Sequence, residues 1–315
     1  MTEAIEPTQV TFTGAAGNRL VADVFDKAGA PVLLLHGGGQ TRHAWRATAV
    51  ALARAGRTAY AIDQRGHGDS DWIDSGAYGF SDFAADVRAL ADAFAAKGEP
   101  RPTVIGASLG GIATLLAEGN AHAEGAAPLF SALVLVDITP RVDRSGIAKI
   151  QAFMRAHARE GFASIAEAAD AVAAYLPHRP RPRSHEGLKK NLRRHPDGRW
   201  RWHWDPRFIE GPRPVGGSRS EENLIRAAQT IKQPTLLVRG ASSEVVQEEH
   251  AREFLALVPH AEYLDVGGAQ HMVAGDQNDG FSAAILDFVA RLDRPRQPRP
   301  LPRPGADGCR ITRQR

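Results

Sequence analysis

The sequence predicts an α/β protein in which a mostly parallel β-sheet carries helices on both faces. Two observations support this fold class. Short apolar runs alternate with Ala-rich helical patterns through residues 1–140, and strand–helix alternation is typical of parallel sheets. The apolar runs also lack regular polar positions, which indicates strands that are buried on both faces.

The predicted elements follow one another in a regular order. Strands are expected at Val21–Phe25, Pro31–Leu35, Ala59–Ile62, Thr103–Ile105 and Leu133–Val136. Helices are expected at Trp45–Ala55, Phe80–Ala96 and Gly110–Glu118, which combine many alanines with spaced charges. After a long interruption, strands are expected at Pro234–Val238 and Ala261–Val266, and a closing helix at Phe281–Leu292.

The interruption predicts an inserted cap. Its sequence favours helices at Ile147–Arg159 and Ile165–Ala174, followed by a stretch rich in Pro and Arg. A segment of this length between two sheet strands is long enough to cover one edge of the sheet. We therefore expect a core of residues 1–140 and 230–293, with residues 141–229 as the cap.

Composition restricts the class of protein. The single cysteine, Cys309, excludes a disulfide framework and a Cys-based zinc site. No apolar run approaches the roughly 20 residues that a membrane-spanning helix needs. The N-terminus lacks the basic region and apolar stretch of a secretory signal. A cytoplasmic protein without a membrane partner is expected.

The basic character of the chain is concentrated in a C-terminal tail. Residues 294–315 contain seven Arg and one Asp, a net charge of +6, whereas the whole chain carries +3, so the preceding residues carry −3. The tail is rich in Pro and has almost no residue that could pack, which predicts disorder. The folded part therefore has no excess of positive charge, and no nucleic-acid partner is expected.

Ser108 is the candidate nucleophile. It lies in Gly106-Ala107-Ser108-Leu109-Gly110, after a predicted strand and before a predicted helix. A tight strand-to-helix turn needs small neighbours, because larger residues would clash where the backbone crosses itself. The turn exposes the hydroxyl at a helix N-terminus, whose amides favour a developing oxyanion.

A serine hydroxyl needs a general base, and His271 is the histidine best placed for that role. It follows the last predicted strand, at the sheet edge where the serine turn also lies. His36 and His67 also lie in Gly-rich turns, but both precede the serine, whereas sites of this kind have the order Ser, acid, His. We interpret those two as hydrogen-bonded turn residues.

Four motifs in this order resemble those of the α/β-hydrolase fold superfamily. They are His36-Gly37-Gly38-Gly39, Asp63-Gln64-Arg65-Gly66-His67-Gly68-Asp69-Ser70, Gly106 to Gly111, and Gly267-Gly268-Ala269-Gln270-His271. The resemblance covers residues 10 to about 292. It implies an eight-stranded sheet with a helical cap inserted after the sixth strand. The chain departs from the pattern at Gln270, where a glycine usually precedes the histidine.

Two carboxylates are candidates for the acid that orients the imidazole. Asp137 ends a strand in Asp137-Ile138-Thr139-Pro140, and Glu244 follows a later strand. The superfamily most often places its acid near Glu244. A subgroup of capped bacterial esterases, which the chain resembles in its Asp-Ile-x-Pro and Gly-x-x-Ser-x-x-Val segments, places it at Asp137. We favour Asp137 and keep Glu244 as the alternative.

The oxyanion hole is predicted at the amides of Gly38 and Leu109. Leu109 directly follows the nucleophile, and Gly38 lies in a glycine turn whose backbone can approach a ligand closely. Trp200, Trp202 and Trp204 alternate, so an extended segment would place all three on one face. They pack inside their own domain, line an apolar substrate pocket under the cap or, because basic residues alternate with them, stack nucleic-acid bases.

These residues predict a serine hydrolase that cleaves a carboxylic ester or lactone of medium size through an acyl-enzyme intermediate. The same triad would also serve a carbon–carbon bond hydrolase or a cofactor-free perhydrolase, and some proteins of this fold are non-catalytic receptors. No cluster of His, Asp or Glu has the spacing of metal ligands, so neither a metal nor a cofactor is predicted.

Overall fold

The computed structural model describes residues 5–177, 185–217, 219–267 and 279–292. Its strands are β1 (Thr8–Thr13), β2 (Arg19–Phe25), β3 (Pro31–Leu35), β4 (Thr58–Ile62), β5 (Thr103–Ala107), β6 (Ala132–Val136), β7 (Leu192–Arg194), β8 (Trp200–Trp202), β9 (Thr235–Gly240) and β10 (Glu262–Val266). Eight of them form one sheet in the order β1-β2-β4-β3-β5-β6-β9-β10, and β7 and β8 form a separate antiparallel pair. In the large sheet β2 is antiparallel to both neighbours, and all other pairs are parallel. The predicted fold class is confirmed.

The described residues form ten α-helices. They are α1 (Arg46–Arg54), α2 (Phe80–Ala96), α3 (Leu109–Ala123), α4 (Arg144–Ala156), α5 (Ile165–Tyr175), α6 (Glu186–Lys189), α7 (Arg207–Glu210), α8 (Glu221–Thr230), α9 (Glu248–Leu257) and α10 (Asp279–Leu292). Helices α1 and α10 contribute to the core on one face, and α2, α3, α8 and α9 to the core on the other. None of the described helices is long and apolar enough to cross a membrane.

Alternate side chains of the central strands belong to different cores. In β3, Val32 and Leu34 belong to the cluster of α1 and α10, whereas Leu33 and Leu35 belong to the cluster of α2 and α3. Every residue of β3, β5 and β6 is buried. Both faces of these strands are therefore apolar, which explains the runs without polar alternation.

Several elements carry too weak an apolar pattern to be predicted. Strand β1 lies at the edge of the sheet and is mostly exposed, so it has no apolar run. The strands β7 and β8 have three residues each, too few to show a period. Helices α8 and α9 bury only a narrow stripe, such as Leu224 and Ala228 in α8.

The residues between β6 and β9 contain α4 to α8 and the β7–β8 pair. The last of these helices, α8, packs directly against α3. A Cβ atom added at Gly119 of α3 would lie only 2.4 Å from the Cβ of Ala227 in α8. The two helices therefore approach this closely because position 119 has no side chain.

Replacing Gly119 with Ala is expected to destabilise the protein by about 1–3 kcal/mol, because the new methyl group must push α3 and α8 apart. The expected loss is the net change, after the roughly 1 kcal/mol that Ala gains over Gly inside a helix. Urea denaturation measures the change. The matched control is Gly187→Ala, where a Cβ would contact nothing within 4 Å. Equal stability of the two variants would contradict the close packing of α3 and α8.

Candidate functional site

Ser108 lies on the sharp turn between β5 and α3. Its backbone angles, φ 44° and ψ −108°, are in a region that residues with a side chain rarely adopt. Two hydrogen bonds hold this conformation: Ser108 N–H donates to the carbonyl of Val136 at 3.0 Å, and Ile112 N–H donates to the carbonyl of Ser108 at 2.9 Å. The serine therefore lies at the N-terminus of α3, at the carboxyl end of the parallel strands.

The glycines around Ser108 make the turn possible. A Cβ at Gly106 would lie 2.6 Å from backbone atoms of Gly110 and Gly111, and a Cβ at Gly110 would lie 2.6 Å from the carbonyl oxygen of Leu35. Larger residues at these positions would separate α3 from the sheet. The need for small residues, inferred from the motif, is thus a property of the turn itself.

Asp137 occupies the equivalent position at the end of the neighbouring strand, β6. Its φ is 51°, and its N–H donates to the carbonyl of Val238 in β9 at 2.7 Å. The side chain is buried and its carboxylate accepts hydrogen bonds from Gly240 N–H at 3.1 Å and Ser243 Oγ at 2.6 Å. Within the described residues, Ser108 and Asp137 are two of the three non-glycine residues with positive φ.

Glu244, the alternative acid, has a different environment. It lines the same cavity as Ser108 and Asp137. Its carboxylate pairs with Lys149 Nζ at 3.4 Å, and the two side chains are 58% and 63% exposed. Water therefore screens the negative charge of Glu244, whereas hydrogen-bond donors of the protein hold the carboxylate of Asp137 in place.

His271, the predicted general base, lies outside the described residues, together with Gly268, Ala269 and Gln270. The described chain ends before it at Gly267, directly after β10, and resumes at the start of α10.

The glycine turn after β3 lies beside Ser108. A Cβ at Gly37 would be 3.5 Å from the Cβ of Ser108. Side chains hold the turn: Gly37 N–H donates to Gln40 Oε1 at 3.0 Å and Gly39 N–H to His67 Nε2 at 3.1 Å. Among the described residues, the N–H groups of Gly38 and Leu109 have no hydrogen-bond acceptor. Both residues line the cavity next to Ser108, so both amides are available to an anion.

Two buried histidines support this turn. Because His67 Nε2 accepts a hydrogen bond from Gly39, its Nδ1 carries the proton and donates to the carbonyl of Arg65 at 2.9 Å. His36 has the same arrangement, accepting from Gln64 N–H and donating to the carbonyl of Gly37. Burial lowers the pKa of His36 to about 4 and that of His67 to about 3, so both are neutral. The interpretation of these histidines as hydrogen-bonded turn residues is confirmed.

A cavity of about 790 Å³ opens above Ser108. Trp202 and Trp204 line it and are buried, whereas Trp200 is half-buried and packs against the hydrophobic core. Most of the remaining lining is apolar and includes Ile112, Ile138, Ile150, Phe153, Met154, Val172, Phe208 and Val215. All three tryptophans therefore pack inside the protein, and Trp202 and Trp204 also border the cavity. That this cavity binds the substrate stays a prediction.

Three polar residues at the site were not predicted. Gln40 and Ser243 act on the backbone and on Asp137, and Arg219 lines the cavity. Ser243 is the serine of the Gly-x-x-Ser-x-x-Val segment, so the motif contained a signal for it. Arg219 had none, because it lies in a part of the chain with many arginines.

The family model described as the alpha/beta hydrolase fold matches residues 30–276. The chain is 31% identical over 264 residues to Esterase Rv0045c of Mycobacterium tuberculosis, covering 82% of this chain and 80% of that protein. It is 26% identical over 288 residues to 2-(acetamidomethylene)succinate hydrolase of Mesorhizobium japonicum, covering 86% and 92%.

Solved structures match over a similar length. An alpha/beta hydrolase from Novosphingobium aromaticivorans has a TM-score of 0.76 at 25% identity, covering 92% of this chain and 100% of that chain. A structure of the M. tuberculosis esterase Rv0045c has a TM-score of 0.69 at 26% identity, covering 91% and 93%.

The low pKa values of the buried histidines predict acid sensitivity. The unfolded chain binds protons at these histidines below about pH 6.5, whereas the folded chain does not until about pH 4 at His36 and about pH 3 at His67. Stability should therefore fall as the pH decreases from about 6.5 to 4, by up to about 1.4 kcal/mol per pH unit for each histidine.

Urea denaturation at several pH values tests this expectation. His67→Gln should reduce the slope of stability against pH between about 6 and 4.5, by the contribution of one proton. The exposed His122 provides the control, since His122→Gln should leave the slope unchanged. An unchanged slope in His67→Gln would contradict a buried neutral imidazole.

Proposed function

The chain belongs to the α/β-hydrolase fold family and is a hydrolase, and from this premise we propose that it cleaves a carboxylic ester or lactone through an acyl-enzyme intermediate. The position of Ser108 carries the proposal. Its turn at the N-terminus of α3 brings the hydroxyl into an apolar cavity that also contains two available amides. The similarity to an esterase supports the choice of an ester bond.

The proposed reaction begins with attack of Ser108 Oγ on the substrate carbonyl, while His271 removes the hydroxyl proton. The negative charge that develops on the carbonyl oxygen is stabilised by the N–H groups of Gly38 and Leu109. The protonated imidazole then gives its proton to the leaving alkoxide, and the acyl group remains on Ser108. Water attacks the acyl-enzyme with His271 again as base, which releases the acid and restores the serine.

We assign Asp137 as the acid that orients His271. It lies at the end of the strand next to that of Ser108, and two donors fix its carboxylate in a buried position. A carboxylate held in this way stabilises an imidazolium more strongly than an exposed one, because solvent screening is weaker. Glu244 is the alternative, although it is already paired with Lys149.

We also propose that residues 141–229 form a cap over the site. Residues from α4, α5 and the segment of Trp202 and Trp204 line the cavity together with residues at the carboxyl ends of the core strands, such as Ser108 and Asp137. Helix α8 ties this segment to α3 of the core. The apolar lining favours a medium-sized apolar portion of the substrate, and exclusion of water would strengthen the hydrogen bonds to the oxyanion.

A second candidate is hydrolysis of an amide. The chain covers 92% of a relative named 2-(acetamidomethylene)succinate hydrolase, and the compound in that name contains an amide group. The same acyl-enzyme chemistry applies to both bonds. Comparing 4-nitrophenyl esters with the corresponding 4-nitroanilides separates the two candidates, since faster turnover of the anilides would favour the amide.

Labelling with a fluorophosphonate probe tests the nucleophile. Wild type should be labelled and should hydrolyse 4-nitrophenyl esters, whereas Ser108→Ala should lose the label and at least about 10⁴-fold in kcat. Ser242→Ala, which changes an exposed serine, should behave as wild type. Absence of labelling in folded wild type, or its persistence in Ser108→Ala, would contradict the proposal.

The acid is tested by comparing two amide substitutions. Asp137→Asn should lower kcat by about 10³–10⁴-fold, because the amide cannot stabilise the imidazolium and favours the wrong tautomer. Glu244→Gln should change kcat by less than about threefold. If only Glu244→Gln collapses kcat, Glu244 is the acid and the assignment of Asp137 is wrong.

A further inference from the structure

Four charged side chains of the described residues line the cavity, and they differ in whether other protein groups compensate their charge. Lys149 and Glu244 pair with each other, and Asp137 accepts hydrogen bonds from Gly240 and Ser243. Arg219 is different. Within the described part of the chain, no carboxylate lies within ion-pair distance of its guanidinium.

Two backbone carbonyls hold Arg219 in place. Its Nη2 donates to the carbonyl of Thr139 at 2.9 Å and to that of Pro140 at 2.8 Å, two and three residues after Asp137 in the chain. Its Nε is buried and has no hydrogen-bond partner among the described residues. The nearby carboxylate of Glu221 pairs with Arg144 at 3.1 Å, and the positive charge of Arg144 opposes the attraction of Glu221 for Arg219.

A partly buried guanidinium raises the free energy of the folded protein unless an anion binds beside it. Burial lowers the pKa of Arg219 to about 10, so the guanidinium keeps its proton at neutral pH. A charge that is partly removed from water gains much more from a counterion than an exposed one does. Because the two carbonyls orient the guanidinium before any ligand arrives, little conformational entropy is lost on binding.

We propose that Arg219 binds a carboxylate carried by the substrate, so that the preferred esters are acidic ones. The inference rests on the proposed ester hydrolysis at Ser108 and specifies its substrate class. A carboxylate matches a single guanidinium in charge and planar shape. A phosphate dianion would require a second unpaired cation, and the other described cation of the lining, Lys149, already has a partner.

Matched pairs of esters test the proposal. On the acyl side, mono-4-nitrophenyl glutarate is compared with 4-nitrophenyl 5-methylhexanoate, in which an isopropyl group replaces the carboxylate. On the alcohol side, 4-carboxyphenyl acetate is compared with 4-isopropylphenyl acetate. Arg219→Gln should raise KM for the acidic ester of at least one pair by about 10- to 100-fold, with less than about threefold change for its neutral partner.

Two further variants separate binding from structural support. Arg219→Lys keeps the charge and should retain part of the preference for the acidic ester. Arg226→Gln removes an exposed arginine of α8 outside the cavity and should leave the preference unchanged. If Arg219→Gln impairs the acidic and neutral members of both pairs equally, Arg219 only supports the turn of Thr139 and Pro140, and the proposal is wrong.

A binding measurement distinguishes failure of this proposal from failure of the proposed function. Calorimetry on Ser108→Ala should detect saturable binding of succinate, glutarate or adipate, and adding Arg219→Gln should abolish it while circular dichroism shows an intact fold. Binding of this kind without any ester hydrolysis would reject the ester reaction but support the carboxylate site. Ester hydrolysis without dicarboxylate binding or preference for an acidic ester would reject the site alone.

Discussion

Two hydrogen bonds that extend the parallel ladder beyond the strand ends determine the geometry of the site. One joins Ser108 N–H to the carbonyl of Val136, and the other joins Asp137 N–H to the carbonyl of Val238. Each holds a residue with a side chain at positive φ, a conformation that costs about 1–3 kcal/mol. The buried strands β5, β6 and β9 supply the rigidity that maintains it, so the candidate nucleophile and acid occupy adjacent strand ends.

The glycine turn after β3, on the other side of Ser108, depends on one buried imidazole. His67 accepts a hydrogen bond from Gly39 in the glycine turn, and its ring packs against that of Phe208, with centroids 4.7 Å apart. Asp205 secures the same segment, because its N–H donates to the carbonyl of Gly66 and its carboxylate accepts from the hydroxyl of Tyr78. The glycine turn and the segment that contains Asp205 and Phe208 are therefore positioned by one set of contacts.

The electrostatics of the cavity follow from this arrangement. Burial keeps His36 and His67 neutral, so they position the backbone of the glycine turn without adding charge beside Ser108. Asp137 is stabilised by one donor at the end of β9, Gly240, and one in the following loop, Ser243. Within the described residues, the partners of Arg219 are two carbonyls, which provide no compensating charge. A carboxylate on the proposed substrate would neutralise the positive charge of Arg219 in this cavity.

The sequence by itself determined the elements whose signal is local. Strand β3 and helix α2 were predicted at their observed bounds, because burial on two faces or on one helical stripe leaves a period in the chain. The turn of Ser108 was predictable because its steric requirement falls on neighbouring glycines. Only the tertiary structure separated the environments of Asp137 and Glu244 and revealed Arg219 as a cation without a carboxylate partner among the described residues. Those properties depend on atoms from segments that are distant in the sequence. The local pattern of apolar and polar residues does not show which of those segments come into contact.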